Sequence, residues 1–254
     1  MTAPKQGLTS IRGLILAGGL GLRLRSVVSD RPKPLAVVGQ RPFLEYLLRQ
    51  ISAQGILSVT ICTGYGSDRI RQVIDQGPDW GLRIGYSEES EPLGTAGALR
   101  LAMEQFDDPE FIVLNGDSFF DISFERLMET HRSLEAQATI AVRWTRDAGR
   151  FGSVELDGEG RVLSFRQGVG DGPSLINGGI YVLNRSVLLD LPVGKAASLE
   201  RQVFPALIRR TNGAGLGAAT FDGWFTDIGV PDDYLSVDRD PRPILAAVNR
   251  ASSC

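Results

Sequence analysis

Two basic residues of this chain lie where they could act on a polyphosphate. Arg23 follows a glycine-rich turn, and Lys33 lies ten residues later in the segment Arg31-Pro32-Lys33-Pro34. Each proline fixes its own φ and restricts the residue before it, so Lys33 is presented on a stiff, extended stretch of chain. The alternative is a solvated surface turn. Because lysine is rare in this sequence, its occurrence in such a segment favours phosphate contact.

Two aspartates are candidate metal ligands. Asp117 follows the apolar run 111–114, and Asp227 follows Trp224-Phe225-Thr226. Ligands of open α/β sheets bind beyond the carboxyl ends of the strands, where both carboxylates would fall. The structural alternatives are an Asx turn for Asp117 and a helix cap for Asp227. With one histidine and two cysteines in the chain, the expected metal is a hard cation, magnesium, held by carboxylates, phosphate oxygens and water.

A glycine-rich loop follows the first predicted strand, Gly13 to Ala17. Its backbone amides can point into one space and approach a phosphate closely, although a plain tight turn is the alternative. A dinucleotide fingerprint would need glycine where Leu24 stands, and the Gly-Lys-Ser/Thr of a Walker loop is absent. The nucleotide-binding candidates in this loop are Leu16, Ala17, Gly18, Gly19 and Gly21.

Further candidates concern the base and the sugar. A carboxylate only accepts hydrogen bonds, so Glu89 suits the N1–H and amino group of guanine, with Gly94 contributing backbone. An acidic surface loop is the alternative for the stretch around Glu89. Asn177 and Gly178 offer an amide side chain and exposed backbone to sugar hydroxyls.

The elements that must position these residues alternate between short apolar runs and amphipathic stretches. Strands are predicted at 13–17, 58–63, 82–87 and 111–114, separated by helical patterns. The second half is predicted to contain a helix at 123–134, strands at 139–144 and 175–183, and a hairpin whose strands are 153–156 and 162–165. This alternation predicts an α/β fold with a mainly parallel sheet.

The 254 residues, 43% of them hydrophobic, suffice for one large domain. We expect a single domain over residues 1–240, with a nucleotide-binding half (11–125) and a sugar-binding half (126–240), and a peripheral tail over 241–254. The net charge of −3 provides no field that attracts nucleic acid or an anionic membrane. Two cysteines, no signal-peptide pattern and no apolar run of membrane-spanning length indicate a cytoplasmic protein.

Taken together, these motifs resemble those of the sugar nucleotidyltransferases. The resemblance rests on the segment 16–42 and on four further motifs, Glu91-Pro92-Leu93-Gly94-Thr95-Ala96-Gly97, Asn115-Gly116-Asp117, Ile176-Asn177-Gly178-Gly179 and Thr226-Asp227-Ile228-Gly229. It implies a three-layer α/β/α, Rossmann-like fold and transfer of a nucleoside monophosphate to a sugar 1-phosphate with release of pyrophosphate. It also implies that Arg23 contacts the triphosphate, that Lys33 contacts the α-phosphate, that Thr95 belongs to the nucleotide site, and that both aspartates hold magnesium.

Within that family, the motifs are most similar to those of D-glycero-α-D-manno-heptose 1-phosphate guanylyltransferases, which serve bacterial surface glycan synthesis. Mannose 1-phosphate guanylyltransferases are the near alternative, and a catalytically silent regulatory homologue is a third. The expected partners are therefore a nucleoside triphosphate, with GTP favoured, and a sugar 1-phosphate, with a homodimer as a candidate assembly.

The sequence departs from the family pattern at two places. Leu22 stands where relatives often have threonine, which removes a hydroxyl contact to phosphate. Many relatives carry Glu-Lys-Pro after the hairpin, whose lysine meets the sugar phosphate, whereas here Phe165 is followed by Arg166-Gln167-Gly168. Arg166 could take over that role, although arginine and lysine are not equivalent phosphate ligands. Gly152 resembles a family position that lets the sugar approach.

Overall fold

The computed structural model describes residues 7–146, 153–166, 172–210 and 215–251. The side chains of Arg166 and Ala251 also lie outside the description. Gly152, a candidate sugar-binding residue, falls outside the described ranges.

The central sheet contains nine strands of the described chain. Seven of them form a path in the order β10-β9-β11-β6-β1-β4-β5, and β8 and β12 extend from β11. These strands are β1 (Arg12–Leu16), β4 (Ser58–Thr63), β5 (Arg83–Glu88), β6 (Glu110–Asn115), β8 (Ala138–Thr145), β9 (Ser153–Leu156), β10 (Val162–Arg166), β11 (Ser174–Asn184) and β12 (Leu216–Thr220). Strands β6, β1, β4 and β5 run parallel, whereas β11 runs antiparallel to β6, β8 and β9.

Two small sheets accompany the main one. Strands β2 (Val37–Val38) and β3 (Arg41–Pro42) pair with each other, as do β7 (Ser118–Phe120) and β13 (Phe225–Asp227). The hairpin expected around Asp157-Gly158-Glu159-Gly160 is confirmed by the antiparallel pairing of β9 with β10. The sequence pattern missed β12 and both small sheets, because strands this short or this rich in glycine and alanine carry little hydrophobic periodicity.

Eight α-helices occur in the described part of the chain. They are α1 (Phe43–Ala53), α2 (Ser67–Asp75), α3 (Gly94–Ala102), α4 (Phe124–Ser133), α5 (Ser186–Leu189), α6 (Phe204–Arg210), α7 (Pro231–Arg239) and α8 (Arg242–Ala251). A π-helical turn, Leu199–Val203, leads directly into α6. Within these ranges, each helix is too short or too polar to cross a membrane.

The sheet is covered on both faces, which confirms the three-layer α/β/α, Rossmann-like fold with a mixed sheet. Alternate residues of β6 point to opposite sides: Ile112 and Leu114 join the core formed with α1, α2 and α4, while Phe111 and Val113 join the core formed with α3 and α6. Burial on both faces explains why β6 is a continuous apolar run in the sequence.

The C-terminal segment expected to be a peripheral tail is packed into the body over much of its length. Helix α8 contacts α1, and its Ile244, Ala247 and Val248 are buried in the same core as α1. The apolar residues recur at helical spacing, so one face of α8 is removed from water.

Candidate active site

The candidate site lies where β1 and β6 end side by side. The register pairs Leu16 with Asn115, so the glycine loop after β1 and the Asn115-Gly116-Asp117 turn after β6 start from the same edge of the sheet. The backbone amide of Gly116 donates to the carbonyl of Leu16 over 2.9 Å. The two motifs that the sequence places about 100 residues apart therefore form one surface.

Lys33 reaches this surface from the proline-rich segment. Its Nζ lies 2.5 Å from Oδ2 of Asp117, and the two side chains are 11% and 33% exposed. Pro32 is extended as expected, while Lys33 opens a single 3₁₀ turn, Lys33–Leu35. Gly21, in the left-handed region at φ 59°, passes so close that an added Cβ would lie 3.0 Å from Cβ of Lys33. The glycine loop thus packs against the lysine that it precedes.

Asp227 is brought beside Asp117 by the pairing of β13 with β7. In that pair Asp227 lies opposite Ser118, whose hydroxyl donates to Oδ2 of Asp227 over 2.9 Å and lies 3.2 Å from Oδ1 of Asp117. The amide of Gly229 donates to the other Asp227 oxygen over 2.6 Å. Burial and the negative charge of Asp117 raise the pKa of Asp227, and Lys33 partly offsets this effect.

This pair of carboxylates fits a hard divalent cation. The donors are carboxylate oxygens only, and the negative charge of Asp117 beside Asp227 would be offset by a bound cation. No cluster of three or more His, Cys, Asp or Glu side chains that could hold a metal occurs among the described residues. Further ligands would have to come from substrate phosphate and water, which is how magnesium is commonly held.

A cavity of about 290 Å³ opens beside Lys33 and Asp117. It is lined by Leu16, Ala17, Gly18, Gly19, Leu20, Lys33, Pro34, Glu89, Pro92, Gly94, Thr95, Ala98, Asn115, Gly116 and Asp117. Seven of the eight predicted nucleotide-binding residues therefore line one cavity. The eighth, Gly21, lies outside that lining and instead supports Lys33.

Glu89 occupies space left by two glycines. An added Cβ on Gly18 or Gly64 would lie 2.6 Å or 2.9 Å from Oε1 of Glu89. The other oxygen, Oε2, accepts from the backbone amide of Leu93 over 3.0 Å. Burial raises the pKa of Glu89. The carboxylate is therefore held at the cavity wall by its surroundings and is not a freely solvated surface charge.

Other predicted residues lie elsewhere. Arg23 is exposed, in the 3₁₀ turn Leu22–Leu24, outside the cavity lining. Gly178 is buried, and an added Cβ would lie 2.4 Å from Cδ1 of Phe120, so this glycine packs closely against the Phe120 ring. The backbone of Arg166 ends β10, with its side chain outside the described part.

Asn177 belongs to a polar cluster that the sequence did not indicate. Its Nδ2 donates to the hydroxyl of Tyr181 over 2.8 Å, and Nδ2 of Asn115 lies 3.4 Å from the same hydroxyl. The same hydroxyl donates to Oε1 of Glu200 over 3.5 Å. Tyr181 was missed because it sits in an apolar strand like a core residue, and Glu200 because its turn resembles an ordinary helix start.

A family model for nucleotidyl transferases matches residues 12–242. The chain belongs to the nucleotidyl transferase family. It is 37% identical, over 88% of its own length and 97% of the relative's, to a D-glycero-alpha-D-manno-heptose 1-phosphate guanylyltransferase of Campylobacter jejuni. It is 34% identical, over 91% of its length and 64% of the relative's, to a mannose-1-phosphate guanylyltransferase of Mycobacterium tuberculosis.

A solved structure shows the same architecture. HddC from Yersinia pseudotuberculosis superposes with a TM-score of 0.80 at 31% identity, covering 91% of this chain and 100% of that one. A second structure of HddC is a complex with GMP-PN. These findings confirm the family and fold that the sequence motifs indicated, and they make this nucleotidyl transferase an enzyme of the transferase class.

Proposed function

We propose that this nucleotidyl transferase transfers GMP from GTP to a sugar 1-phosphate, D-glycero-α-D-manno-heptose 1-phosphate, giving GDP-heptose and pyrophosphate. The product would serve bacterial surface polysaccharide synthesis. The observation that carries the proposal is the convergence of Lys33, Asp117 and Asp227 beside the cavity formed by the glycine loop and Glu89.

The reaction requires an anionic sugar phosphate to approach the α-phosphorus of an anionic triphosphate. At about 4 Å and an effective dielectric constant near 20, one pair of unit charges repels by roughly 4 kcal/mol, and several pairs act together. The ammonium of Lys33 offsets part of this repulsion and stabilises the charge that builds up as the α-phosphorus is attacked. The nucleophile is already a phosphate anion, so the site needs no general base.

The remaining residues bind and orient. Gly18 and Gly19 line the cavity, where their backbone amides would donate to phosphate oxygens. Asp117 and Asp227 are the residues that would hold magnesium, which when bound supplies further positive charge to the phosphates. Ser118 keeps the two carboxylates in place, since its hydroxyl lies within hydrogen-bond distance of both. Arg166 is proposed to meet the sugar phosphate and exposed Arg23 the triphosphate tail.

Guanine is favoured by Glu89. Its carboxylate lies in the cavity wall and can accept from N1–H and the amino group, a pattern that the other three bases do not offer together. The HddC complex with GMP-PN and the guanylyltransferase names of the relatives support the same base.

A mannose 1-phosphate guanylyltransferase is the second candidate, because the two sugars share a ring configuration and a relative of that name matches 91% of this chain. We prefer heptose because the match to the heptose enzyme covers nearly the whole of both chains. We also propose a cytoplasmic location, where nucleoside triphosphates are available, and a homodimer as the assembly.

One panel tests the proposal. The purified protein would be given each of four nucleoside triphosphates with heptose, mannose or glucose 1-phosphate, with magnesium or with a chelator, and pyrophosphate release would be measured. We expect release only with magnesium, fastest with GTP and the heptose phosphate. Faster turnover of mannose 1-phosphate would select the second candidate. No release from any pair would indicate a silent regulatory homologue, and activity retained after chelation would remove the metal from the proposal.

A further inference from the structure

Glu200 lies in the π-helical turn Leu199–Val203, but its carboxylate is turned inward. Oε2 accepts from the hydroxyl of Thr95 over 3.0 Å and from that of Ser198 over 2.8 Å. Oε1 accepts from the hydroxyl of Tyr181 over 3.5 Å. Three hydroxyl donors from three different parts of the chain therefore converge on one carboxylate. A carboxylate suits this place because it has about four acceptor positions and, when ionised, no donor.

On one side, the Glu200 carboxylate holds the first turn of α3, which lines the cavity through Thr95. Thr95 lines the cavity and lies in the first turn of α3, and its hydroxyl also accepts from the amide of Leu199 over 2.8 Å. The carbonyl of Ala197 accepts from the amides of Ala96 and Gly97 over 2.9 and 3.2 Å. The segment before Glu200 thus caps α3 and fixes where this helix begins.

On the other side, the Glu200 carboxylate holds the polar cluster of Asn177 and Tyr181 on β11. Tyr181 is completely buried, and burial together with the charge of Glu200 raises the pKa of its phenol, so the hydroxyl stays protonated and donates to Glu200. The same hydroxyl accepts from Asn177 and lies 3.4 Å from Nδ2 of Asn115, a cavity residue. Oδ1 of Asn115 is buried and has no hydrogen-bond partner among the described residues.

We propose that Glu200 is a positioning residue that fixes the start of α3 relative to the Asn115–Asn177 side of the site, and so aligns nucleotide with sugar phosphate. The inference rests on the proposed function and goes beyond it by linking Thr95, in the first half of the chain, to Tyr181, in the second half. The carboxylate touches both residues through their hydroxyls and contacts no reacting atom. Glu200 lies in a π-helical turn, an irregularity that is frequent at functional sites.

The test compares Glu200→Ala and Glu200→Gln with Glu104→Gln as matched control. Glu104 follows α3, is 53% exposed and pairs with Arg100 away from the cavity lining. We expect Glu200→Ala to lower kcat by roughly 10- to 100-fold, since misalignment of two substrates is costly, while the Kd for GTP alone changes by less than about threefold. Glu200→Gln should fall between the wild type and Glu200→Ala, because it keeps one acceptor oxygen and introduces an amide donor.

A second measurement does not depend on turnover. Hydrogen–deuterium exchange at Ala96 and Gly97 should be faster in Glu200→Ala than in the wild type and unchanged in Glu104→Gln. The inference is overturned if kcat and exchange in Glu200→Ala both equal those of the control, or if Kd for GTP rises in proportion to the loss of kcat. Failure of the proposed function appears differently, as a wild type that releases no pyrophosphate from any substrate pair; exchange at Ala96 and Gly97 then decides the positioning role by itself.

Discussion

The ammonium of Lys33 lies 2.5 Å from a carboxylate oxygen of Asp117, although 84 residues separate them in the chain. Without Lys33, the negative charges of Asp117 and Asp227 would repel each other without the ion pair that Lys33 makes with Asp117. With Lys33, the site presents one positive charge to an incoming phosphate and keeps two acidic groups available for a metal.

We expect Lys33→Ala to lower kcat/KM by about 100- to 1,000-fold, the range found when one preorganised donor to a developing negative charge is removed from an active site. Lys33→Arg should restore little, because a planar guanidinium does not reproduce a compact ammonium. Pyrophosphate release at saturating magnesium measures the effect. Lys195→Ala, which removes an exposed lysine, serves as the control. Lys33→Ala activity within about threefold of that control would contradict the assigned role.

Asp227→Asn should separate metal binding from folding. The pKa of Asp227 is raised above its ordinary value of 3.8 by burial and by Asp117. A carboxyl with a raised pKa stabilises the folded protein below its unfolded pKa, and this contribution is lost as the pH rises through the folded value. At pH 7 the ionised carboxylate of Asp227 therefore destabilises the folded protein, and the Asn substitution removes this effect.

For metal-free protein at pH 7, we thus expect the Tm of Asp227→Asn to equal or exceed that of the wild type. Magnesium should raise the Tm of the wild type and leave the variant unchanged, because binding to the folded state alone stabilises it. Differential scanning fluorimetry with and without magnesium provides the measurement, and Asp222→Asn, an exposed neighbour, is the control. A variant that gained as much from magnesium as the wild type would exclude Asp227 as a ligand.

Glu89→Gln should relax the preference for GTP. The Gln side chain keeps one acceptor oxygen, but its NH₂ group would face the second N–H donor of guanine. A donor left unpaired in this way costs about 1–3 kcal/mol. We expect kcat/KM for GTP to fall by roughly 10- to 100-fold and the ratio of GTP to ATP turnover to fall with it. The exposed neighbour Glu91, changed to Gln, should leave that ratio intact. Unchanged selectivity in Glu89→Gln would assign the base to another contact.

Gly178→Ala tests whether this glycine serves the sugar or the fold. An added Cβ would lie 2.4 Å from Cδ1 of Phe120 and 2.9 Å from the carbonyl oxygen of Ala141. We expect the free energy of unfolding to drop by about 1–3 kcal/mol from overpacking. Urea denaturation gives the value, and Gly158→Ala, where an added Cβ meets nothing within 4 Å, should be close to neutral. A stable variant with a raised KM for sugar phosphate would restore the sugar-binding role predicted from the sequence.

His131, the single histidine, should make stability depend on pH. It is 2% exposed, between Thr139 and Asn184, and burial lowers its pKa from the ordinary 6.5. Below about pH 6.5, His131 is protonated in the unfolded chain but stays neutral in the folded protein. The free energy of unfolding therefore falls as the pH drops towards the lowered pKa of His131 in the folded protein. Denaturation at pH 7.5 and 5.5 should show a smaller difference for His131→Gln than for the wild type. An equal difference would mean that other groups cause the dependence.

The nucleotide cavity was largely predictable from local sequence signals. Gly18 and Gly19 follow a buried strand, and Asp117 follows another, so both had to lie at the carboxyl edge of one parallel sheet. Glu89 follows β5 and reaches the same edge. The position of each of these residues follows from the strand before it, which hydrophobic patterning reveals.

Other features of the site could not be predicted from local sequence patterns. From the sequence, Gly178 was predicted to offer exposed backbone. In the structure it is buried, because β11 packs against Phe120 of β7 at this position. Tyr181 and Glu200 were interpreted as a strand residue and a helix-start residue. Their hydrogen bond forms because the π-helical turn and the start of α6 pack against β11, where the rings of Phe204 and Tyr181 are in contact. The burial of α8 likewise depends on α1, a helix at the other end of the chain.

The sequence by itself determined the family, the layered α/β architecture and the identity of the groups that can meet a triphosphate, because each is encoded in a short motif next to its own strand. Tertiary structure alone decided which distant charges touch and which polar groups are buried together. The physical reason is that strand order and register are long-range properties: Lys33 meets Asp117, and Glu200 joins Thr95 to Tyr181, only after the sheet has placed its strands side by side.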